Sequence, residues 1–308
     1  MIAFIFPGQN SQYVGMGKDL YDASTPAREV MEASDRALAI DLLALMFEGP
    51  EAALTQTENQ QPAILTHSLA ALAATQERGL QPGIVAGHSL GEYSALVTAG
   101  VLGAEDAVAL IRFRAEVMAE AAADQPGAMS AILGLDAEPV ETIVQEAGQE
   151  GVCRLANYNC PGQVVISGSV PAIERAEELA SEAGAKRVIR LRVSGAFHTP
   201  LMAAAADRLI ERLRRTPLQP AQVPVVSNVD ATARTDPGQI RDALGQQMLS
   251  SVLWEQSVRT MADAGVDALV EIGPGTVLSR LVRRTDRTLR LLNVEDVASL
   301  EETLEALT

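Results

Sequence analysis

Ile84-Val85-Ala86-Gly87-His88-Ser89-Leu90-Gly91 is the stretch on which the reading of this chain turns. Three apolar residues run directly into Gly-x-Ser-x-Gly, and a helical stretch follows. A short apolar run closed by glycine reads as a buried strand. A serine on the sharp turn between such a strand and a helix exposes its hydroxyl, and the flanking glycines let a strained backbone pass close to its neighbours. The helix N-terminus favours negative charge developing beside Ser89. At ordinary glycine and serine usage the bare pattern arises by chance in roughly one in ten chains this long. Its weight therefore comes from the strand before it and the helix after it, and Ser89 is the candidate nucleophile.

Outward from this point, strand-like and helical runs alternate. Residues 2–6 form an apolar run closed by Pro7-Gly8, and residues 16–80 read as mostly helical, with an Ala/Leu-rich segment at 63–74. A long helix is expected at 104–122, and strands at 223–227 and 268–272. This alternation predicts a mainly parallel sheet covered on both faces. The middle of the chain changes rhythm: strand 128–133, helix 136–149, strands 152–156 and 164–167, helix 170–183, strand 187–193. That order, β-α-β-β-α-β, is the ferredoxin-like unit. Residues 127–193 are therefore expected as a small subdomain inserted into a larger α/β one of residues 1–126 and 194–308.

Composition narrows the chemistry. A chain of 308 residues buries roughly 75% of its unfolded surface, so its core needs no disulfides. Its 24 Lys and Arg against 40 Asp and Glu give a net charge of −16, and aromatics make up only 3%. A nucleic-acid binder wants a basic face and stacking platforms, and an anionic membrane surface wants basic residues, so neither partner is expected. The two cysteines, Cys153 and Cys160, have no metal-ligand spacing and fit a reducing compartment. The opening MIAFIFPG is too short for a signal h-region and lacks a basic flank, and no stretch approaches a membrane span. A cytoplasmic protein is the expectation.

Ser89 needs a base near neutral pH, and there are only three histidines. His88 adjoins the serine in sequence and is expected to point away from it. His67 lies in the apolar 63–74 segment, where a core or surface histidine is the ordinary reading. His198, in Ser194-Gly-Ala-Phe-His-Thr-Pro200, follows a strand and precedes a helix opening near Pro200. Catalytic groups concentrate at such strand ends, and His198 is the candidate base. On the helix at 104–122, Ala107, Leu110, Ile111, Val117, Met118 and Ala121 share one face with Arg114 in their midst. A guanidinium aimed inward needs a carboxylate or phosphate. An internal salt bridge and a substrate carboxylate are both open on these residues alone. Gly273-Pro-Gly275 lacks the third glycine of a dinucleotide fingerprint; neither nucleotide, metal nor other cofactor is indicated.

Several segments, in order and across nearly the whole chain, resemble the malonyl-CoA:acyl carrier protein transacylases. They are Phe6-Pro-Gly-Gln-Asn-Ser-Gln12, Gly87-His-Ser-Leu-Gly-Glu-Tyr-Ser-Ala95, Asn157-Tyr-Asn-Cys-Pro-Gly-Gln-Val-Val-Ile-Ser-Gly168, Gly195-Ala-Phe-His-Thr-Pro-Leu-Met202, Ser227-Asn-Val-Asp-Ala231 and Gly273-Pro-Gly275. The resemblance implies an α/β fold with an α/β-hydrolase-like large subdomain and an inserted ferredoxin-like small one. It places Ser89 on the family's nucleophile and His198 on its base. Arg114 falls on the arginine that pairs with the malonyl carboxylate, the backbone N–H groups of Gln9 and Leu90 on the oxyanion hole, and Phe197 on the acyl-specificity position. There are three departures: Asn10 for a usual glycine, which asparagine tolerates in a left-handed backbone; Ala115 for a common glycine; and Leu253 where Gln or Asn often stands. With Leu253 there, a side-chain contact to His198 is lost, and the group that orients the imidazole, a backbone carbonyl at that point or another, is left open by the sequence.

What the resemblance implies is transfer of malonyl from malonyl-CoA to the phosphopantetheine thiol of acyl carrier protein through a malonyl-serine, for fatty acid synthesis, with no cofactor and as a monomer. The competing readings are an acyltransferase serving a polyketide synthase, a serine hydrolase, and a catalytically idle carrier-binding scaffold. Carrier proteins are acidic, as is this chain, so docking calls for a local basic patch. The candidates are Lys186, Arg187, Arg190 and Arg192, and Arg280, Arg283 and Arg284.

Overall fold

The computed structural model describes residues 1–38 and 40–307. Its ten described strands are β1 (Ile2–Phe6), β2 (Ile84–Gly87), β3 (Gly127–Leu133), β4 (Cys153–Cys160), β5 (Gln163–Ser169), β6 (Arg187–Arg190), β7 (Val225–Val226), β8 (Ala233–Arg234), β9 (Ala268–Ile272) and β10 (Arg290–Val294). Six form one sheet in the order β10-β9-β1-β2-β7-β8, parallel except where β8 returns against β7. The run 2–6 alternates between the two faces, as a strand must. Phe4 and Phe6 pack with the helices Thr57–Glu77 and Ala104–Asp124, while Ala3 and Ile5 pack with Trp254, Val258 and Leu281 on the other side. Both faces are therefore covered, and a large apolar side chain fully buried there stabilises the fold by about 1.5–3 kcal/mol.

The helix Thr57–Glu77 is buried on nearly every side, lying between Thr25–Ala37 and Ala104–Asp124. A helix enclosed all round carries no amphipathic stripe. The 16–80 region accordingly reads as one helical block in sequence but resolves into five helices.

The remaining four strands form an antiparallel sheet in the order β4-β5-β3-β6, with the helices Ala137–Ala147 and Val170–Glu182 on one face. Alternation sorts its side chains. Ala128, Ile132, Val164 and Ile166 face those helices, whereas Met129, Ala131 and Val165 line a cleft against the large sheet.

Of the strands that differ from their expected bounds, three do so for a clear local reason. The run expected at 187–193 ends as a strand at Arg190, because Leu191 and Val193 turn to line the cleft. The run at 223–227 shrinks to two residues: Pro224 has no N–H, and Ser227 N–H donates to Thr232 O instead. β4 runs on to Cys160 through two register shifts, which aim Asn157 and Asn159 into the cleft. β10 was not foreseen; it is an edge strand of mixed, half-buried residues with no apolar run to mark it.

Candidate active site

Phe6 pairs with Gly87, so β1 and β2 end side by side and their following loops leave from the same edge of the sheet. Ligands bind at that edge in open parallel sheets. The glycines of the elbow are there for space: a Cβ on Gly87 would lie 1.9 Å from the carbonyl carbon of Gly91, and one on Gly91 would lie 2.2 Å from Phe6 O. Between them Ser89 is held in the left-handed region at φ 52, a strained conformation that persists only if its surroundings fix it. Asn228 does so from both sides. Its Oδ1 accepts from Ser89 N–H at 2.6 Å, and its Nδ2 donates to Gly87 O at 2.6 Å. Gln247 Nε2 adds a bond to Ser89 O at 3.0 Å.

The Ser89 Oγ lies 3.0 Å from His198 Nε2. On its other side the imidazole Nδ1 sits 3.0 Å from both the Gln247 and the Ser250 carbonyl oxygens. Carbonyls only accept, so Nδ1 carries the proton and Nε2 is free to accept from the serine hydroxyl. These two carbonyls orient the base; the Leu253 carbonyl instead accepts from Ser257 N–H at 2.9 Å and Ser257 Oγ at 2.8 Å. Burial, and next the Arg114 cation, hold the His198 pKa down to about 4. His198 is at φ 60, a second left-handed residue, and its side chain touches that of the first, Ser89.

Arg114 is completely buried and reaches the serine from behind, outside the lining of the cleft. Its NH1 donates to Gln61 Oε1 at 2.6 Å, and its NH2 to Ser89 Oγ at 3.1 Å and Gln247 Oε1 at 3.2 Å. Its Nε has no acceptor, and among the described residues no carboxylate lies within salt-bridge distance of it. The internal ion pair that the sequence left open is therefore absent among those residues. Glu92, also buried, accepts instead from Ser227 Oγ (3.0 Å), Asn228 N–H (3.2 Å) and Gln247 Nε2 (2.7 Å). Burial raises its pKa, and those three donors and Arg114 oppose the rise.

The cleft in front of Ser89 encloses about 210 Å³. Gly8, Gln9, Asn10 and Ser11 line one rim; Asn10 takes the left-handed backbone at φ 69. Among the described residues the backbone N–H groups of Gln9 and Leu90 have no acceptor within the protein. Phe197 lines the floor next to His198. Beyond Ser89, His198 and the Gln9–Ser11 rim, its polar groups are His88, whose Nε2 bonds Asn159 Oδ1 at 3.0 Å, with Asn157, Asn159 and Gln163. The far wall, Val277, Leu278 and Leu281, belongs to a helix whose first N–H groups at Leu278 and Ser279 are capped by buried Glu271 at 2.9 and 2.7 Å. His67 is buried far from the serine with neither ring nitrogen hydrogen-bonded. Among the described residues no three His, Cys, Asp or Glu side chains gather as a metal ion would require.

The structure thus brings Ser89, His198 and Arg114 together and puts Gln9 and Phe197 on the cleft. Gln61, Glu92, Asn228, Gln247 and Ser250 are site residues that sequence reasoning did not assign. Glu92 and Asn228 lie inside quoted motifs, where an acidic residue in the first turn of an apolar helix was the available signal. Gln247 and Ser250 act partly through carbonyl oxygens, which no side chain announces.

Comparison with known proteins agrees with this geometry. The acyl transferase domain family matches residues 3–302. The malonyl CoA-acyl carrier protein transacylase of Bacillus subtilis (strain 168) is 47% identical over 307 residues, covering 99% of this chain and 97% of the relative. Among solved structures, an acyl carrier protein S-malonyltransferase from Vibrio cholerae superposes with a TM-score of 0.94 at 44% identity, covering 98% of this chain and 99% of the other. A malonyl-transacylase in complex with its type II PKS acyl-carrier protein gives 0.95 at 42% identity, covering 99% of each chain. The chain belongs to the acyl transferase domain family and, within it, to the malonyl CoA-acyl carrier protein transacylases.

Proposed function

We propose that this protein moves malonyl from malonyl-CoA to the phosphopantetheine thiol of an acyl carrier protein by a ping-pong reaction through a malonyl ester on Ser89, supplying fatty acid synthesis in the cytoplasm. The observation that carries the reading is the Ser89–His198 pair at 3.0 Å with the imidazole tautomer fixed from behind. His198 Nε2 takes the hydroxyl proton while Ser89 Oγ attacks the thioester carbonyl. The oxyanion that forms is received by the N–H groups of Gln9 and Leu90; one such donor is worth roughly 3–4 kcal/mol. Coenzyme A leaves as the thiol with the proton from His198. The carrier thiol then gives its proton to His198 and attacks the ester, and Ser89 is regenerated. No cofactor enters beyond the coenzyme A and phosphopantetheine of the substrates.

Arg114 receives the malonyl carboxylate. Its unused Nε–H, and an NH2 now spent on the very oxygen that becomes the ester, support this. A buried cation left without its anion discriminates against acetyl-CoA. Phe197, packed beside the base, opposes a methyl branch on the acyl α-carbon. The large subdomain, residues 1–126 and 194–308, supplies the reacting groups, and residues 127–193 supply the wall that covers them.

The carrier docks at the cleft mouth. Two exposed basic groups flank it: Lys186, Arg187 and Arg192 beside the lining residues Leu191 and Val193, and Arg280 and Arg283 beside Val277 and Leu281. Two of the sequence candidates are already engaged, Arg190 with Glu177 at 2.7 Å and Arg284 with Gln163 and the carbonyl oxygens of Pro161 and Gly162. A polyketide carrier is the second reading, favoured by the solved relative bound to such a carrier. Incubation with malonyl-CoA and each holo-carrier separately tests the proposal. Malonyl-carrier is expected with the fatty acid carrier and not with Ser89→Ala; no malonyl-carrier with either partner refutes the transferase reading.

A further inference from the structure

Arg114 is a buried cation with no carboxylate in direct contact among the described residues, and Glu92 is a buried carboxylate with no cation in direct contact. The side-chain amide of Gln247 stands between them. Its Oε1 accepts from Arg114 NH2 at 3.2 Å and its Nε2 donates to Glu92 Oε2 at 2.7 Å, so each end of the amide meets the charge that suits it. Glu92 Oε2 also accepts Asn228 N–H, and Oε1 accepts from Ser227 Oγ, so donors meet both carboxylate oxygens. The other cation whose field reaches Glu92, Arg234, is already paired with both oxygens of Asp230.

We propose that Glu92 is a positioning residue that acts through Gln247 as the counter-charge of Arg114, compensating the guanidinium while leaving its Nε–H unoccupied. The inference rests on the reading of Arg114 as the site of the substrate carboxylate. A buried guanidinium without any counter-charge is strongly unfavourable. A direct Glu–Arg fork would satisfy the charge but take the N–H groups that the substrate needs. An interposed amide balances the charge while taking a single NH2 bond; Nε–H stays open, and the other NH2 bond goes to Ser89 Oγ. The guanidinium therefore waits for one more anion, held at a strength that Glu92 sets.

Glu92→Gln is the test, because it removes the charge and keeps the hydrogen bonds. The new amide oxygen accepts from Asn228 and Gln247, and the new NH2 donates to Ser227 Oγ. Single-turnover acylation by malonyl-CoA and acetyl-CoA is measured in the wild type, Glu92→Gln, Arg114→Ala and the double variant. With its internal counter-charge gone, Arg114 favours the malonyl carboxylate more, and the malonyl-to-acetyl rate ratio rises about tenfold, the size of coupling between groups in one network. The double variant has the ratio of Arg114→Ala alone. A residue that merely held the elbow would slow both substrates alike and leave the ratio unmoved. Should Glu92→Gln not fold, Glu92→Ala, in which water takes the three donors, is expected to shift the ratio in the same direction. If Arg114→Ala lowers the ratio while the folded Glu92 variants keep the wild-type value, the counter-charge proposal is overturned and the Arg114 reading stands. If Arg114→Ala itself keeps the wild-type ratio, both fall.

Discussion

On the large-sheet side of the cleft, Ser89 sits at φ 52 and His198 at φ 60, and the backbone of the first and the imidazole of the second are held by Asn228, Gln247 and Ser250. On the small-sheet side, Met129, Ala131 and Val165 present a plain alternating face, relieved only by Asn157, Asn159 and Gln163. The first side stores backbone strain and fixes it with hydrogen bonds from several elements, while leaving a few donors open, as preorganised chemistry requires. The second offers an apolar surface and a few amides, as a binding wall does. Substitutions on the first side should therefore cost turnover, and those on the second should cost affinity.

The largest expected effect breaks the first side outright. Ser89→Ala should lower kcat by roughly 10⁴-fold or more, with malonyl-CoA affinity retained, as measured by transfer assays and direct binding. A loss of affinity equal to the loss of turnover would erase the division between the walls. The base gives a second test of the same side. With its pKa held at about 4, His198 is neutral throughout the ordinary range, and only its protonation stops it accepting from Ser89. Acylation kcat/KM should stay flat as pH falls below 6.5 and decline about tenfold per unit only below about 4. A limb near 6.5 would mean a solvated imidazole.

These residues also mark what the sequence could disclose. The elbow was legible because strand, glycines and serine are contiguous, and His198 because the competing histidines were few. Arg114 stood out by lying in an apolar stripe. Which group orients the imidazole stayed open in the sequence because carbonyl oxygens do it, and any residue type carries one. Gln247 and Asn228 were missed because their partners lie 155 and 139 residues away in the chain, brought together only by the packing of the sheet edge. The β-α-β-β-α-β rhythm was readable from alternation, yet β10 and the bulges of β4 were not, since edge strands and register shifts leave no periodic trace.

At the seam between the walls, Phe197→Ala should raise kcat/KM for methylmalonyl-CoA relative to malonyl-CoA by about tenfold or more, the worth of one methyl group being about 1–3 kcal/mol. Equal kcat/KM for the two thioesters in the wild type would remove the role assigned to Phe197. On the small-sheet wall, Asn159→Ala should raise KM for malonyl-CoA about tenfold, one hydrogen bond's worth, and leave kcat nearly unchanged. A fall in kcat instead would extend the catalytic side across the cleft. The smallest effect is expected outside: charge reversal at Lys186, Arg187 and Arg192 should raise only the carrier KM, by about threefold to tenfold at low salt, and less as salt screens it. An unchanged carrier KM would dismiss that patch.

The covalent intermediate is the point on which everything above depends. Intact-mass measurement of the protein after malonyl-CoA alone, followed by peptide mapping, should find one malonyl group, on Ser89, discharged when holo-carrier is added. Malonyl-carrier formed with no adduct on the protein at any time, or an adduct at another residue, would contradict the account.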